Sequence, residues 1–268
     1  MLHKEYRKLH AEWYELVSDR IDHSKEIDFW VRHIEETGEP VLELGSGTGR
    51  VLVPLLERGF QIVGIDTSQD MLARCFATCE AKGLQAELHK QSMLEFDLPH
   101  QFSLVFLASG GLSLFISDQD IQATFERVMT HLKPEGTFIF EFEHLPPNDK
   151  KDANDGIWGR WEGDWVKGHN DVVIAWRRRV KYNRATHVWE SLFIVEKFIN
   201  GSLVETEANE RAGRYFTIDE AVQYASSAGF EDIRVTDWLT DDPPSDDSEV
   251  IMVRCNKPVQ SATKQKKQ

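Results

Sequence analysis

The stretch Val41-Leu42-Glu43-Leu44-Gly45-Ser46-Gly47-Thr48-Gly49-Arg50 decides how this chain is read. A short apolar run carrying one acid enters a turn with glycine at every second position, and an amphipathic segment, residues 51–56, follows at once. Glycine accepts positive φ and has no Cβ, so such a turn can be tight and its backbone can lie against a ligand. The helix expected after it would aim its unpaired N–H groups and positive dipole end at that ligand. The pattern predicts a strand–loop–helix unit that binds a nucleotide-type molecule.

Spacing separates two ligand classes. A dinucleotide loop reads G-x-G-x-x-G, its third glycine serving helix–strand packing. Here the order is G-x-G-x-G, from Gly45 through Gly47 to Gly49, with Glu43 two residues ahead. A second signal follows in Gly64-Ile65-Asp66-Thr67-Ser68-Gln69-Asp70-Met71-Leu72. Its acid lies about 20 residues beyond the first turn, where doubly wound folds place a carboxylate on ribose hydroxyls.

With these two motifs in place the chain resembles the class I S-adenosylmethionine (SAM)-dependent methyltransferases, which carry E/D-x-G-x-G-x-G and then G-x-D-x-S-x-x-M-L. The resemblance implies SAM as cofactor, S-adenosylhomocysteine as product, and a cofactor contact set. From the first motif that set takes Glu43, Gly45, Ser46, Gly47, Gly49 and Arg50; from the second, Asp66, Thr67 and Met71. Residues 91–98 resemble a third family segment, G-D-M-x-x-F-D-L, whose Asp accepts from the adenine amino group. Ser92 stands in that place, and a hydroxyl accepts more weakly than a carboxylate. Met93 would add its backbone and an apolar wall.

The remaining core elements follow by periodicity. Residues 102–108 are a continuous apolar run, as expected for a strand buried on both faces, and lead into Ser109-Gly110-Gly111. Ligands of open α/β sheets bind outside the carboxyl ends of strands, so Ser109 should border the transferring methyl group. Met71, Leu72, Cys75, Phe76 and Cys79 are expected on the inner face of a helix capped by Thr67 or Ser68. Ser117-x-x-Asp120 and Thr217-x-x-Glu220 each resemble a capping box. Between residues 150 and 213 the pattern changes to alternation, with Asn200-Gly201 joining two runs as a hairpin signal. Five of the eight tryptophans lie there: Trp158, Trp161, Trp165, Trp176 and Trp189. They would serve equally as sheet core or as a stacking surface.

The expected fold class is therefore α/β: a Rossmann-like, seven-stranded doubly wound sheet with an inserted antiparallel β-sheet and N-terminal lid helices. The expected division is residues 1–37 for the lid, 38–149 for the SAM-binding core, 150–213 for the insert as acceptor platform, and 214–258 for the rest of the core. Residues 259–268 form a polar tail expected to be disordered.

Composition narrows the partners. The 268 residues are 41% hydrophobic and 28% charged, an ordinary globular balance. Net charge is −14, from 31 basic against 45 acidic residues, which argues against a polyanionic nucleic-acid partner. No apolar run approaches the ~20 residues that span a bilayer, and the N-terminus lacks a signal-peptide core. No membrane association, a cytoplasmic location and a monomer or homodimer are the expectations. Three cysteines give no disulfide framework and are read as structural thiols.

Methyl transfer from SAM needs alignment and desolvation more than a catalytic triad. His144, just past the fifth strand, is the candidate general base, and Tyr14 on the first helix the other candidate catalytic group. Glu141 and Glu143 share a strand face and would hold a cationic amine. Arg214 and Tyr215 lie where the insert returns to the core and, by resemblance, would line the acceptor pocket. No metal-ligand spacing stands out; the acidic loop 241–247 is read as solvated. Pro146-Pro147-Asn148 is not the N/D-P-P-Y motif of nucleic-acid methylation. The reading is a SAM-dependent methyltransferase acting on nitrogen or oxygen of a small molecule. A protein or peptide acceptor, a non-methylating SAM enzyme, a nicotinamide-dependent oxidoreductase and a non-enzymatic binding protein remain open.

Overall fold

The computed structural model describes residues 6–144, 155–168 and 170–259. The Pro146-Pro147-Asn148 segment, the 149–150 junction and all but the first residue of the tail lie outside the described residues.

The first four strands of the large sheet are β1 (Val41–Leu44), β2 (Ile62–Asp66), β3 (Glu87–Lys90) and β4 (Phe102–Leu107). The sheet is completed by β5 (Leu132–Glu143) and, late in the chain, β10 (Glu231–Asp237) and β11 (Val250–Asn256). Their order is β10-β11-β5-β4-β1-β2-β3, and β11 runs antiparallel to both of its neighbours. The strands β3-β2-β1-β4-β5 are parallel. Strand order reverses between β1 and β4, so the turns leaving these two strands flank the crevice in which such sheets bind ligands.

Strand β4 shows why the sheet is doubly wound. Val105 and Leu107 face one core with α5 (Asp118–His131) and α6 (Ile218–Ser227). Leu104 and Phe106 face the other, with α2 (Ser24–Thr37), α3 (Leu52–Glu57) and α4 (Gln69–Ala81). Period-two alternation sends neighbouring apolar residues to opposite faces, so an unbroken apolar run suits a strand covered twice. Trp30 of α2 stacks on Phe106 with ring centroids 4.2 Å apart. Burying side chains of this size contributes about 1.5–3 kcal/mol each.

Two local expectations are corrected. Phe76 is 55% exposed. Met71, Leu72, Cys75 and Cys79 already fill the inward stripe of α4, and Phe76 lies one step further round the helix. Ser117 precedes α5 but its side chain makes no cap bond, and Asp120 is one methylene shorter than the Glu or Gln of a working box. Thr217 and Glu220, with the longer acid, form the reciprocal pair. Ser68 caps α4 through Met71 N–H at 3.2 Å.

A second sheet is built from β6 (Glu162–Lys167), β7 (Val172–Asn183), β8 (Val188–Ile199) and β9 (Ser202–Arg214), all antiparallel in that order. Asn200 and Gly201 both have positive φ, 50° and 78°, as a two-residue hairpin turn of the right twist requires. One face of this sheet packs on α1 (Lys8–Ser18) through Leu9, Ile174, Phe193 and Val195. Trp176 stacks on Phe193, and Trp13 of α1 closes on the same ring at 4.8 Å. Trp176 is thus packing, whereas Trp165 is exposed and Trp158 and Trp161 lie under the cationic heads of Arg179 and Arg177.

Candidate active site

The glycine turn leaves β1 with Gly45, Gly47 and Gly49 all at positive φ. Two of them are demanded by their neighbours. A Cβ on Gly49 would sit 2.6 Å from Cys75 Sγ and Val53 Cγ2, so this glycine lets α3 close on α4. A Cβ on Gly47 would press on the Met71 methyl at 3.4 Å, in a left-handed conformation that side chains resist. The helix after the turn starts at Leu52, later than the pattern suggests, and Arg50 stands in the turn itself.

Glu43 lies under this turn and is buried. Burial pushes its carboxyl up to about 8, against the pull of Arg50, while its oxygens also take a backbone bond from Leu52. Its Oε2 has no hydrogen-bond partner, and neither has the buried hydroxyl of Ser46. At the end of β2, Asp66 accepts Gly47 N–H at 3.0 Å and Ser68 N–H at 2.7 Å. Thr67 beside it is exposed. Ser92 spends its hydroxyl on Leu94 N–H at 3.2 Å, and the Met93 methyl approaches Gly45.

Across the crevice, β4 ends in a turn where Ser109 and Gly110 both have φ 63°. Arg50 bridges the two turns. Its guanidinium donates to Glu26 of α2 and to Ser109 Oγ, and it also bonds Tyr14 of α1. Burial works against the Arg50 charge, but Glu26 and Tyr14 more than compensate and raise its pKa. Burial likewise raises the Tyr14 hydroxyl above its ordinary value, so it stays protonated beside the arginine. Glu141 on β5 accepts Gly110 N–H at 2.6 Å and Trp238 Nε1–H at 2.9 Å, and burial pushes its carboxyl up to about 7.

These contacts bring Glu43, Gly45, Gly47, Arg50, Asp66, Ser109, Tyr14 and Glu141 around one crevice. Four further candidates, His144, Glu143, Arg214 and Tyr215, lie along the seam where the second sheet rejoins the core. His144 holds Phe216 C=O through Nδ1 at 2.9 Å. The backbone N–H of Glu143 donates to Ser113 Oγ at 2.8 Å. Arg214 is committed to Asp118 at 2.6 Å and Glu220 at 2.8 Å. Tyr215 packs edge-on against Tyr182. Glu26 and Trp238 join the crevice although no sequence motif marks either. A buried acid in the first turn of an amphipathic helix is the one available hint for Glu26. Among the described residues no group of three or more His, Cys, Asp or Glu side chains could hold a metal ion, and no helix is long and apolar enough to cross a membrane.

The residues fit SAM on their own terms. The cofactor is cationic at its sulfonium and amine, and the floor of the crevice offers a buried carboxyl with an unpartnered oxygen, an unpartnered hydroxyl, a glycine turn and an acid at the end of β2. Glu43, Ser46, Gly47 and Asp66 would hold it, with Met93 as an apolar wall.

Comparison with known proteins agrees. Residues 41–136 match the family model of the methyltransferase domain. YqeM of Bacillus subtilis (strain 168), a protein named as a methyltransferase, is 28% identical over 243 residues, 86% of this chain and 90% of its own length. Among solved structures, a SAM-dependent methyltransferase from Clostridium acetobutylicum aligns with TM-score 0.74 at 18% identity, covering 92% of this chain and 96% of the other. The sugar N-methyltransferase KedS8 from Streptoalloteichus aligns with TM-score 0.70 at 17% identity, covering 94% and 95%. Two cofactor motifs, the strand order and these likenesses converge: residues 41–136 carry a methyltransferase domain, and the chain is a SAM-dependent methyltransferase enzyme.

Proposed function

We propose that this enzyme methylates a small-molecule amine. The observation that carries the reading is the wall that α1 forms facing the Ser109 turn. Helix α1 sits between that turn and the second sheet, held to the first by Tyr14 and to the second by its apolar face. Such a wall suits a compact acceptor better than a duplex or a folded polypeptide. Likeness to KedS8, a sugar N-methyltransferase, supports nitrogen as the acceptor atom. Bound SAM supplies an electrophilic methyl on a neutral leaving group. The chain's own part is to exclude water and fix the line of approach, since a neutral amine already carries its lone pair. Arg50, kept charged by Glu26, orients Tyr14 and Ser109, whose hydroxyls border the path.

Purified enzyme, SAM and a panel of amino sugars, amino acids, phenols and peptides would be analysed for S-adenosylhomocysteine and methylated product. Methylamine products from the small amines are expected. Methylation of phenols alone would overturn nitrogen as acceptor, and of peptides alone the small-molecule reading. Consumption of SAM without any methylated product would point to a non-methylating reaction.

A further inference from the structure

The face of the second sheet that meets α1 carries a positive charge with no counterpart. Arg211 of β9 lies opposite Ser191 of β8, and its guanidinium stands 3.6 Å over the Tyr6 ring, with Phe193 at 5.9 Å. Its Nε and Nη2 are buried and have no hydrogen-bond partner. Glu207, on the same strand face, is engaged elsewhere: it takes His10 Nδ1 at 2.8 Å and Leu9 N–H at 2.9 Å. One step along the face, Trp189 faces Gly213, where a Cβ would lie 2.4 Å from the indole. The indole therefore lies across β9, and its Nε1–H is also buried without a partner.

Three donor nitrogens thus share one face, in line with the buried Asn209 carboxamide between Glu207 and Arg211, and make no hydrogen bond among the described residues. Guanidinium and indole have no acceptor capacity of their own, so each needs a lone pair from another group, which a bound anion would bring. Nε and Nη2 form one edge of the guanidinium, whose parallel N–H bonds match two oxygens of a carboxylate or phosphate. Donor atoms of a cation buried without a hydrogen bond are costly, and the chain has abundant acids that could have served them. Placement ties this face to the crevice: Tyr6 meets Tyr14 edge-on at 5.5 Å, and Tyr14 bonds Arg50 and Ser109. At the other side Gly213 abuts Ser113 in the 3-10 turn Gly111–Leu114 that follows β4.

We infer that Arg211 and Trp189 form an anion subsite of the acceptor pocket, so that the methyl acceptor carries a carboxylate or phosphate group besides its nucleophile. This rests on the reading of that space as the acceptor site. The bare arginine is then completed by substrate, and neutral amines of similar size are poor acceptors.

The test is calorimetric titration of protein saturated with S-adenosylhomocysteine, using pyrophosphate and succinate as separate probes. At least one should bind saturably to the wild type, and which one does identifies phosphate or carboxylate as the recognised group. Arg211→Gln, which keeps bulk and removes charge, should weaken that binding about tenfold or more, as expected for a charge-assisted pair. Its affinity for S-adenosylhomocysteine should stay within about twofold, because the two sites share no donor. Trp189→Phe, which keeps the ring and removes the N–H, should weaken the probe severalfold and serves if the arginine variant does not fold. Wild type that binds neither probe, or variants that bind as wild type does, overturns the subsite. Should S-adenosylhomocysteine itself fail to bind, the methyltransferase reading suffers, while titration of the free protein with the two probes still decides the subsite.

Discussion

Asp66 at the end of β2 receives the backbone N–H of Gly47 at 3.0 Å, so the acid and the glycine turn are ordered together. Removing the carboxylate should loosen the turn and delete a charged acceptor from the cofactor site at once. Asp66→Ala is expected to weaken S-adenosylhomocysteine binding by about 1.5–3 kcal/mol, the scale of hydrogen bonds to a charged group. Calorimetry on the folded variant checks this. Unchanged affinity would falsify the assignment of Asp66 to the cofactor.

Glu43 sets a pH dependence of stability. Its folded pKa of about 8 lies above the ordinary carboxyl value of 4.5, mainly through burial. The folded state then binds a proton that the unfolded state has released, so stability falls with pH between these two values. The contribution is fully present below the unfolded pKa and lost above about 8. Glu141, pushed up to about 7, acts in the same direction over a narrower window. Denaturant unfolding measured at intervals from acid to mildly alkaline pH should show the decline, and Glu43→Gln should flatten it. An equal slope in both proteins would mean that Glu43 ionises without penalty.

Helix α1 depends on Glu207 of the second sheet. The carboxylate accepts Leu9 N–H and pairs with buried His10, so a residue far along the chain serves as the cap that α1 lacks locally. Burial opposes the charge of Glu207, but these bonds outweigh it and hold its pKa below the ordinary value. Glu207→Ala leaves the helix amide and His10 Nδ1 without an acceptor, at about 1–3 kcal/mol. Hydrogen exchange should show the α1 amides losing protection while those of β4 keep theirs. Uniform protection in the variant would show that apolar packing alone seats the helix.

Much of this was legible because two periods and two motifs are local. The alternation at Leu104, Val105, Phe106 and Leu107 announces a strand covered on both faces, and Asn200-Gly201 announces its hairpin before any contact is known. The glycine spacing and Asp66 likewise sit within single turns. What could not be read is what depends on distant partners. Glu26 meets Arg50, and Trp238 meets Glu141, only after the chain has folded. Arg214 invites a reading as a substrate contact by its place in the sequence, yet its fork is occupied by Asp118 and Glu220. Arg211 three positions earlier carries no motif at all, and only its buried donor nitrogens without a hydrogen bond distinguish it.

Glu141 fixes the Ser109-Gly110 turn at the end of β4. Its two oxygens take Gly110 N–H at 2.6 Å and Trp238 Nε1–H at 2.9 Å, next to Ser109, a non-glycine residue at φ 63°. A backbone in that region persists only where its surroundings over-determine it. Glu141→Ala strips both donors of their acceptor and should cost about 1–3 kcal/mol in denaturant unfolding, with weaker S-adenosylhomocysteine binding as the Ser109 turn relaxes away from Arg50. Glu141→Gln keeps one acceptor oxygen but turns an amide donor towards the other N–H, so it should fall between the two. An alanine variant within about 0.5 kcal/mol of wild type, the range of ordinary surface changes, would show that the turn holds its shape without the acid.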